Sequence, residues 1–140
     1  MAIGRITVDR DAAAVTAVLA DLPAMVEWTA AESVDVIASD DRGRPNVARW
    51  RERYGPLRDD FVLSYDWHDD GVSWTLTEGR ILTTEDGRYT LGPAPGGGTA
   101  VVYSVRLGLA LWLPRLVLSR IESFVVDSTL AALKRRVEQS

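Results

Sequence analysis

Apolar and polar residues alternate along most of the chain, and this pattern predicts seven β-strands. The predicted strands cover residues 3–9, 33–39, 46–54, 57–67, 72–77, 81–91 and 99–111. From residue 33 onwards the strands are separated by short segments rich in Gly, Asp and Pro, which are typical of turns. Because strands joined by short turns run in opposite directions, we expect one antiparallel sheet.

Three other segments have helical rather than alternating character. Residues 12–20 are helical by propensity, with Asp9 or Asp11 as the N-cap. A second, short helix is predicted over 23–28, and a long one over 114–138 with Pro114 in its first turn, where a missing N–H is tolerated. One strand, two short helices, six strands and a long helix describe an α+β chain.

The long C-terminal helix would extend for about 37 Å and would need a large apolar surface to pack against. The apolar and small residues that recur at steps of three and four are predicted to form its packing face: Val117, Ile121, Phe124, Val125, Ser128, Ala131 and Ala132. Since the rest of the chain is mostly strand, we expect a curved sheet wrapped around this helix.

The hairpin at residues 55–56 predicts which strand residues face the helix. With a two-residue loop there, Trp50 lies opposite Phe61 on one face of the sheet. On the other face Arg51 then lies opposite Asp60, an opposite-charge pair that suits the solvent side. A register shifted by one residue would bury these charges, so we expect this pairing.

The next hairpin, closed by a four-residue turn at 68–71, pairs Tyr65 with Trp74 on the same inner face. The complete predicted inner face holds Trp50, Phe61, Leu63, Tyr65, Trp67, Trp74, Leu76, Tyr103 and Val105. Such a face can form a solid aromatic core or the wall of a ligand cavity. The hydroxyls of Tyr65 and Tyr103 need partners when buried, which favours a cavity. The predicted ligand site adds Val117, Ile121, Phe124 and Ser128 of the helix.

Composition excludes several classes of function. The chain of 140 residues predicts one domain, residues 1–140. It has no cysteine and a single histidine, His68 in a predicted turn, so we expect no metal site and no cofactor. A net charge of −4 argues against a nucleic-acid partner. No signal peptide or membrane span is visible, so we expect a cytoplasmic protein. For its oligomeric state, a monomer and a homodimer both remain open.

Several local motifs resemble a known family. They are residues 21–28 (DLPAMVEW), 65–67 (YDW), 72–76 (VSWTL), 87–89 (GRY) and 130–138 (LAALKRRVE). Together, and over essentially the whole chain, they resemble the polyketide cyclase/dehydrase and coenzyme-Q-binding branch of the START-like SRPBCC superfamily. The resemblance implies a helix-grip (START-like/Bet v 1-like) fold, in which a seven-stranded antiparallel sheet grips a C-terminal helix over an apolar cavity. The fold hosts lipid carriers, quinone-binding proteins, hormone receptors and aromatic cyclases, so it leaves the function open.

Three hypotheses about function follow. The first is the binding and transport of an apolar molecule, a lipid, an isoprenoid quinone or a polyketide, with Tyr65, Tyr103 and Ser128 orienting its polar group. The second is a polyketide aromatase/cyclase that acts on a poly-β-ketone chain. Its weak catalytic candidates are Tyr65 and Tyr103, because a free tyrosine titrates near pH 10.

The third hypothesis concerns residues 107–118, an apolar segment that spans the end of the last strand and the start of the long helix. Its apolar side chains Leu109, Leu111, Trp112 and Leu113 cannot all be buried easily at such a corner. Exposed apolar patches mark membrane or partner contacts. We therefore expect either transient docking through this corner or packing of these side chains under the loops.

Overall fold

The computed structural model describes all residues, Met1–Ser140. The strands are β1 (Ala2–Val8), β2 (Ala31–Ser39), β3 (Pro45–Tyr54), β4 (Leu57–His68), β5 (Gly71–Glu78), β6 (Leu82–Pro93) and β7 (Thr99–Leu109). The helices are α1 (Ala12–Ala20), a 3-10 helix (Pro23–Glu27) and α2 (Arg115–Glu138). Asp11 caps α1 by accepting the Ala14 N–H, which confirms one of the two predicted caps. Pro114 is the N-cap of α2, one residue before the helix, rather than a residue of its first turn.

All seven strands form one antiparallel sheet in the order β1-β7-β6-β5-β4-β3-β2. The long helix α2 packs on β1 and β7, and the 3-10 helix packs beside β2 at the opposite edge. This is the predicted helix-grip architecture. No helix in the structure combines the length and the apolar composition that crossing a bilayer requires.

The predicted register of the central hairpins is confirmed. Trp50 pairs with Phe61, and Tyr65 pairs with Trp74, all directed to the inner face. On the outer face the Asp60 carboxylate lies 2.9 Å from a guanidinium nitrogen of Arg49. Alternation and turn length therefore determine this half of the sheet.

The predicted packing face of α2 is only partly correct: Ile121 and Val125 pack against the core, but none of its fully buried residues was predicted. The side chains that pack against the sheet are Glu122, Val126, Leu130, Leu133 and Val137, at steps of three and four. The predicted Phe124 is largely exposed instead. These five residues form a buried stripe that the sequence does not predict, because one of them is a carboxylate. Sequence alone assigns such a charge to solvent, but buried Glu122 accepts the Leu107 backbone N–H at 2.8 Å.

Gly4 in β1 allows this stripe to approach the sheet closely. A Cβ at this position would lie 2.6 Å from Cγ1 of Val126 and 3.1 Å from Cδ1 of Leu130. With α2 held against β1 and β7, the space in front of the central strands is covered by the side of the helix that carries Phe124.

Candidate functional site

A cavity of about 460 Å³ lies between the inner face of the sheet, α2 and the segment that follows the 3-10 helix. It falls within the range of about 300–1,000 Å³ that is usual for small-molecule sites. Nineteen of its 24 lining residues are hydrophobic, so its walls suit an apolar ligand. The concentration of aromatic residues on the inner face therefore builds a cavity rather than a solid core.

Nine of the thirteen predicted site residues line this cavity. They are Trp50, Phe61, Leu63, Tyr65, Trp74, Tyr103, Val105, Phe124 and Ser128. The structure thus brings the predicted inner face and part of α2 to one space.

Four predicted site residues lie outside the cavity. The indole N–H of Trp67 donates to the Pro45 carbonyl at 2.8 Å, which holds this ring beside the first residue of β3 rather than in the cavity wall. Leu76 and Ile121 are half-buried and pack against the core beside the cavity. Val117 is exposed and does not line the cavity.

Fifteen further lining residues were not assigned to the site from the sequence. They are Leu19, Met25, Trp28, Thr29, Ala30, Glu52, Tyr54, Val72, Leu82, Glu85, Tyr89, Leu107, Val125, Thr129 and Ala132. Glu52 and Tyr54 share the side of β3 that carries Trp50, so strand alternation was the signal that could have found them. The inward direction of Glu85 and Tyr89 depends on an irregularity in β6.

That irregularity is a bulge at the start of β6. Leu82 pairs with Leu109 and Thr84 with Gly108, so one extra residue, Thr83, stands in β6. Beyond the bulge, Glu85 lies opposite Leu107 and therefore faces inwards. The bulge thus places a carboxylate in the apolar wall.

Trp74 is the centre of an aromatic wall. Its ring centroid lies 6.0 Å from that of Tyr65, 5.3 Å from that of Tyr89 and 5.9 Å from that of Tyr103. The indole also covers Gly87 on the neighbouring strand, where any Cβ would come within 2.2 Å of the ring. Only glycine at position 87 leaves room for this ring.

Trp74 also holds Glu85 in place. Its indole N–H donates to Oε2 of Glu85 at 2.7 Å, and the second carboxylate oxygen has no hydrogen-bond partner in the protein. Burial, with a smaller contribution from the nearby carboxylates of Glu52 and Asp59, raises the pKa of Glu85 to about 7 against the lowering effect of the indole hydrogen bond. Near neutral pH this group can therefore accept or donate a proton.

Glu52 is a second carboxylate in the cavity wall. Burial raises the pKa of Glu52, although a hydrogen bond from the Tyr54 hydroxyl acts in the opposite direction. The cavity lining contains no Arg, Lys or His. Its polar groups are therefore acidic or neutral.

The tyrosine hydroxyls of the wall are neutral at physiological pH. Burial raises the pKa values of Tyr65, Tyr89 and Tyr103 above the usual tyrosine range, and the Glu85 carboxylate raises each of them further. The Tyr65 hydroxyl accepts the Trp50 indole N–H at 2.8 Å. The hydroxyls of Tyr89 and Tyr103 have no partner in the protein, so they are free to contact a ligand.

The cavity opens beside α2. Phe124 lines it yet is 72% exposed, so this ring stands at the mouth. Ser128, one helical turn further on, also lines it, and its hydroxyl donates to the Phe124 carbonyl at 2.7 Å. Tyr54 and Ala30 are further exposed residues that line the cavity.

A second, polar cleft lies on the surface near Trp67 and is lined by His68. The imidazole Nε2 of His68 lies 2.8 Å from the Ser73 hydroxyl, at an exposed turn outside the cavity. No group of three or more His, Cys, Asp or Glu side chains is arranged to hold a metal ion.

Known structures share this architecture. A START superfamily protein from Mycobacterium smegmatis superimposes with a TM-score of 0.91 at 18% identity, covering 99% of this chain and 97% of that chain. The Zhui aromatase/cyclase from Streptomyces sp. R1128 gives 0.79 at 15% identity, covering 99% and 93%. A STAR-related lipid transfer protein fragment from Xanthomonas axonopodis gives 0.71 at 16% identity, covering 98% and 85%.

No protein-family model matches the sequence, and neither does any curated protein. Identities of 15–18% establish the fold alone. On this structural likeness and its own topology, the chain has the START-like helix-grip fold that its sequence motifs predict.

Proposed function

We propose that this protein binds and carries an apolar small molecule, a lipid, an isoprenoid quinone or a polyketide, in the cavity beneath α2. The single observation that carries this proposal is the cavity itself, about 460 Å³ of space with a predominantly hydrophobic lining. Removing apolar ligand surface from water supplies binding free energy of about 25 cal/mol per Å². Proteins of the same fold include a STAR-related lipid transfer protein, which agrees with such a role.

In this proposal Trp74 and Phe124 contact the ligand from opposite sides. Trp74 belongs to the wall on the sheet, and Phe124 belongs to the mouth on α2. Tyr103 and Tyr65 face the same space with neutral hydroxyls. A ligand between these groups would be buried on its apolar side and hydrogen-bonded at its polar end.

The proposal is tested with N-phenyl-naphthylamine, a neutral apolar dye whose fluorescence rises on transfer out of water. Titration should show saturable binding to the wild type. Ser128→Phe places a ring in the mouth and should weaken dye binding by about tenfold, the equivalent of about 1.4 kcal/mol. Native mass spectrometry of the freshly purified protein should in parallel show a bound mass that is lost on denaturation.

The matched control is Ser123→Phe, at another exposed serine of α2, which does not line the cavity. It should bind the dye as the wild type does. Absence of saturable dye binding to the folded wild type would contradict the carrier proposal, and so would equal weakening in both variants.

A second candidate function is a polyketide aromatase/cyclase, and Glu85 is the observation that favours it. A carboxyl group with a pKa of about 7 can take a proton from an enolisable carbon and return it near neutral pH. The raised pKa values of Tyr65 and Tyr103 disfavour these residues as bases and leave them as hydrogen-bond donors. Recovery of a cyclised product rather than unchanged ligand from the protein would favour this function over transport.

We also propose that the corner between β7 and α2 docks on an anionic membrane surface. Trp112 is 85% exposed, and Leu111 and Leu116 beside it are mostly exposed as well. Leu109 and Leu113 are half-buried. Residues 106–121 carry three arginines and no carboxylate on a chain of net charge −4, so the patch is complementary to acidic head groups.

A further inference from the structure

The polar end of the cavity is built from acceptors and neutral hydroxyls, without a cation. Glu85 and Glu52 provide carboxylates, and Tyr89 and Tyr103 provide hydroxyls. Arg, Lys and His are absent from the lining. An anionic group placed here would meet like charge with no counter-ion, which is unfavourable in an apolar site.

Two tyrosines offer hydroxyl groups to a ligand at this end. Tyr103 is only 4% exposed and Tyr89 only 5%, yet both hydroxyls lack a partner in the protein and both residues line the cavity. Both hydroxyl oxygens are accessible from the cavity, so a ligand or water that enters it can hydrogen-bond to them. Their rings stack with centroids 4.6 Å apart, which keeps them on one patch of the wall.

Trp74 contacts both the tyrosine pair and Glu85. Its ring packs against both tyrosines, and its N–H occupies one oxygen of Glu85. The other Glu85 oxygen remains an unused acceptor. The same part of the wall therefore offers an acceptor and two hydroxyls that can each donate.

We propose that the cavity binds apolar molecules that end in a hydroxyl group and discriminates against those that end in a carboxylate. A hydroxyl can donate to Glu85 and accept from Tyr103 or Tyr89 at the same time, whereas an ether can only accept and an ammonium can only donate. This inference rests on the proposed function, because it concerns the polar end of the same apolar site.

The groups that act on Glu85 agree with this selectivity. They are Glu52 and Tyr54 on β3, Asp59 and Tyr65 on β4, Asp86 and Tyr89 on β6, and Tyr103 on β7. All are acidic or neutral. Burial and these neighbours raise the pKa of Glu85 to about 7, so at about pH 8 it is mostly ionised and available as an acceptor.

The test is displacement of N-phenyl-naphthylamine at about pH 8 by four ligands that share one chain: decanol, decyl methyl ether, decanoate and decylamine. We expect decanol to bind at least about tenfold more tightly than the ether and decanoate, and more tightly than decylamine. Glu85→Gln should bring decanoate to within a few-fold of decanol. Tyr103→Phe should weaken decanol and the ether, which can both accept from the hydroxyl, and should leave decylamine unchanged, because an ammonium cannot accept.

The matched control is Glu78→Gln, an exposed carboxylate of β5 outside the cavity, which should keep the wild-type order of affinities. Decanoate binding as tightly as decanol to the wild type would overturn the inference and leave the apolar cavity standing. Decylamine binding tightest would also overturn it and would identify a cation site instead. If neither the dye nor any decyl ligand binds, the proposed function fails as well.

Discussion

At the scale of single residues, Asp59 is the group that fixes one end of the cavity. Its buried carboxylate accepts the backbone N–H groups of Arg80, Ile81 and Leu82 at 3.2, 3.1 and 2.9 Å. These bonds hold the turn between β5 and β6, directly before the bulge that directs Glu85 inwards. A side chain on β4 thus determines where the acidic part of the cavity lies.

Asp59→Asn should lower the free energy of unfolding by about 1.5–3 kcal/mol. The amide NH₂ would oppose a backbone N–H, most directly that of Leu82, and leave a buried donor without an acceptor. Urea unfolding followed by circular dichroism measures the change.

Asp60→Asn is the control for this prediction. Asp60 is the next residue along the strand and makes its ion pairs with Arg49 and Arg51 at the surface. Surface ion pairs contribute about 0–1 kcal/mol, so the loss should be small. An equal loss of unfolding free energy in the two variants would show that the buried hydrogen bonds of Asp59 stabilise the fold no more than the surface ion pairs of Asp60 do.

At the scale of elements, the fit between β5 and β6 depends on a single glycine. Gly87 pairs with Trp74, and the indole occupies the space where a Cβ would stand. Gly87→Ala should displace the indole and weaken its hydrogen bond to Glu85. We expect a loss of about 1–3 kcal/mol in unfolding free energy, as for overpacked cores, with a shift in tryptophan fluorescence.

Gly92→Ala on the same strand is the matched substitution. A Cβ there meets no heavy atom within 4 Å, and this glycine does not require a positive φ. Its stability should be unchanged or raised by about 0.4–1 kcal/mol, since alanine restricts the unfolded chain. Equal destabilisation by both substitutions would refute the argument from the Trp74 contact.

The elements also show which parts of the fold and the site the sequence could predict. The register of β3, β4 and β5 followed from alternation and turn length, because each pairing is local in the chain. The packing stripe of α2 did not, since Glu122 is satisfied by a backbone N–H that only the folded chain brings to it.

The position of Glu85 was hidden for a different reason. Residues 83–88 are Thr-Thr-Glu-Asp-Gly-Arg and show no apolar face. Alternation therefore cannot predict which of their side chains face the inside of the sheet. The inward direction comes from the bulge at Thr83, which is a property of the pairing with β7. The apolar part of the site was therefore predictable, whereas its acidic part was not.

At the scale of the whole molecule, the exposed corner and the cavity mouth lie on the same helix. Leu116 in the first turn of α2 and Phe124 at the mouth are eight residues apart, about 12 Å along the helix axis. Both side chains are mostly exposed. A membrane that receives the corner would therefore lie close to the opening through which an apolar ligand passes.

Leu111→Ser should weaken binding to phosphatidylglycerol vesicles by about tenfold, measured by sedimentation with the vesicles. Transfer of a leucine side chain out of water contributes about 1.5–3 kcal/mol when complete, so partial insertion accounts for a factor of ten. Wild-type binding should be weaker to phosphatidylcholine and should fall with added salt, because the arginines of the corner act through a screened attraction.

Ile37→Ser provides the comparison, since Ile37 on β2 is 56% exposed and Leu111 is 59% exposed. A general effect of surface hydrophobicity would weaken vesicle binding equally in both variants, whereas docking through the corner affects only Leu111→Ser. Equal wild-type binding to neutral and acidic vesicles would remove the role of the arginines. Loss of vesicle binding in Leu111→Ser with unchanged dye affinity would separate membrane docking from ligand binding, as a carrier that loads at a surface requires.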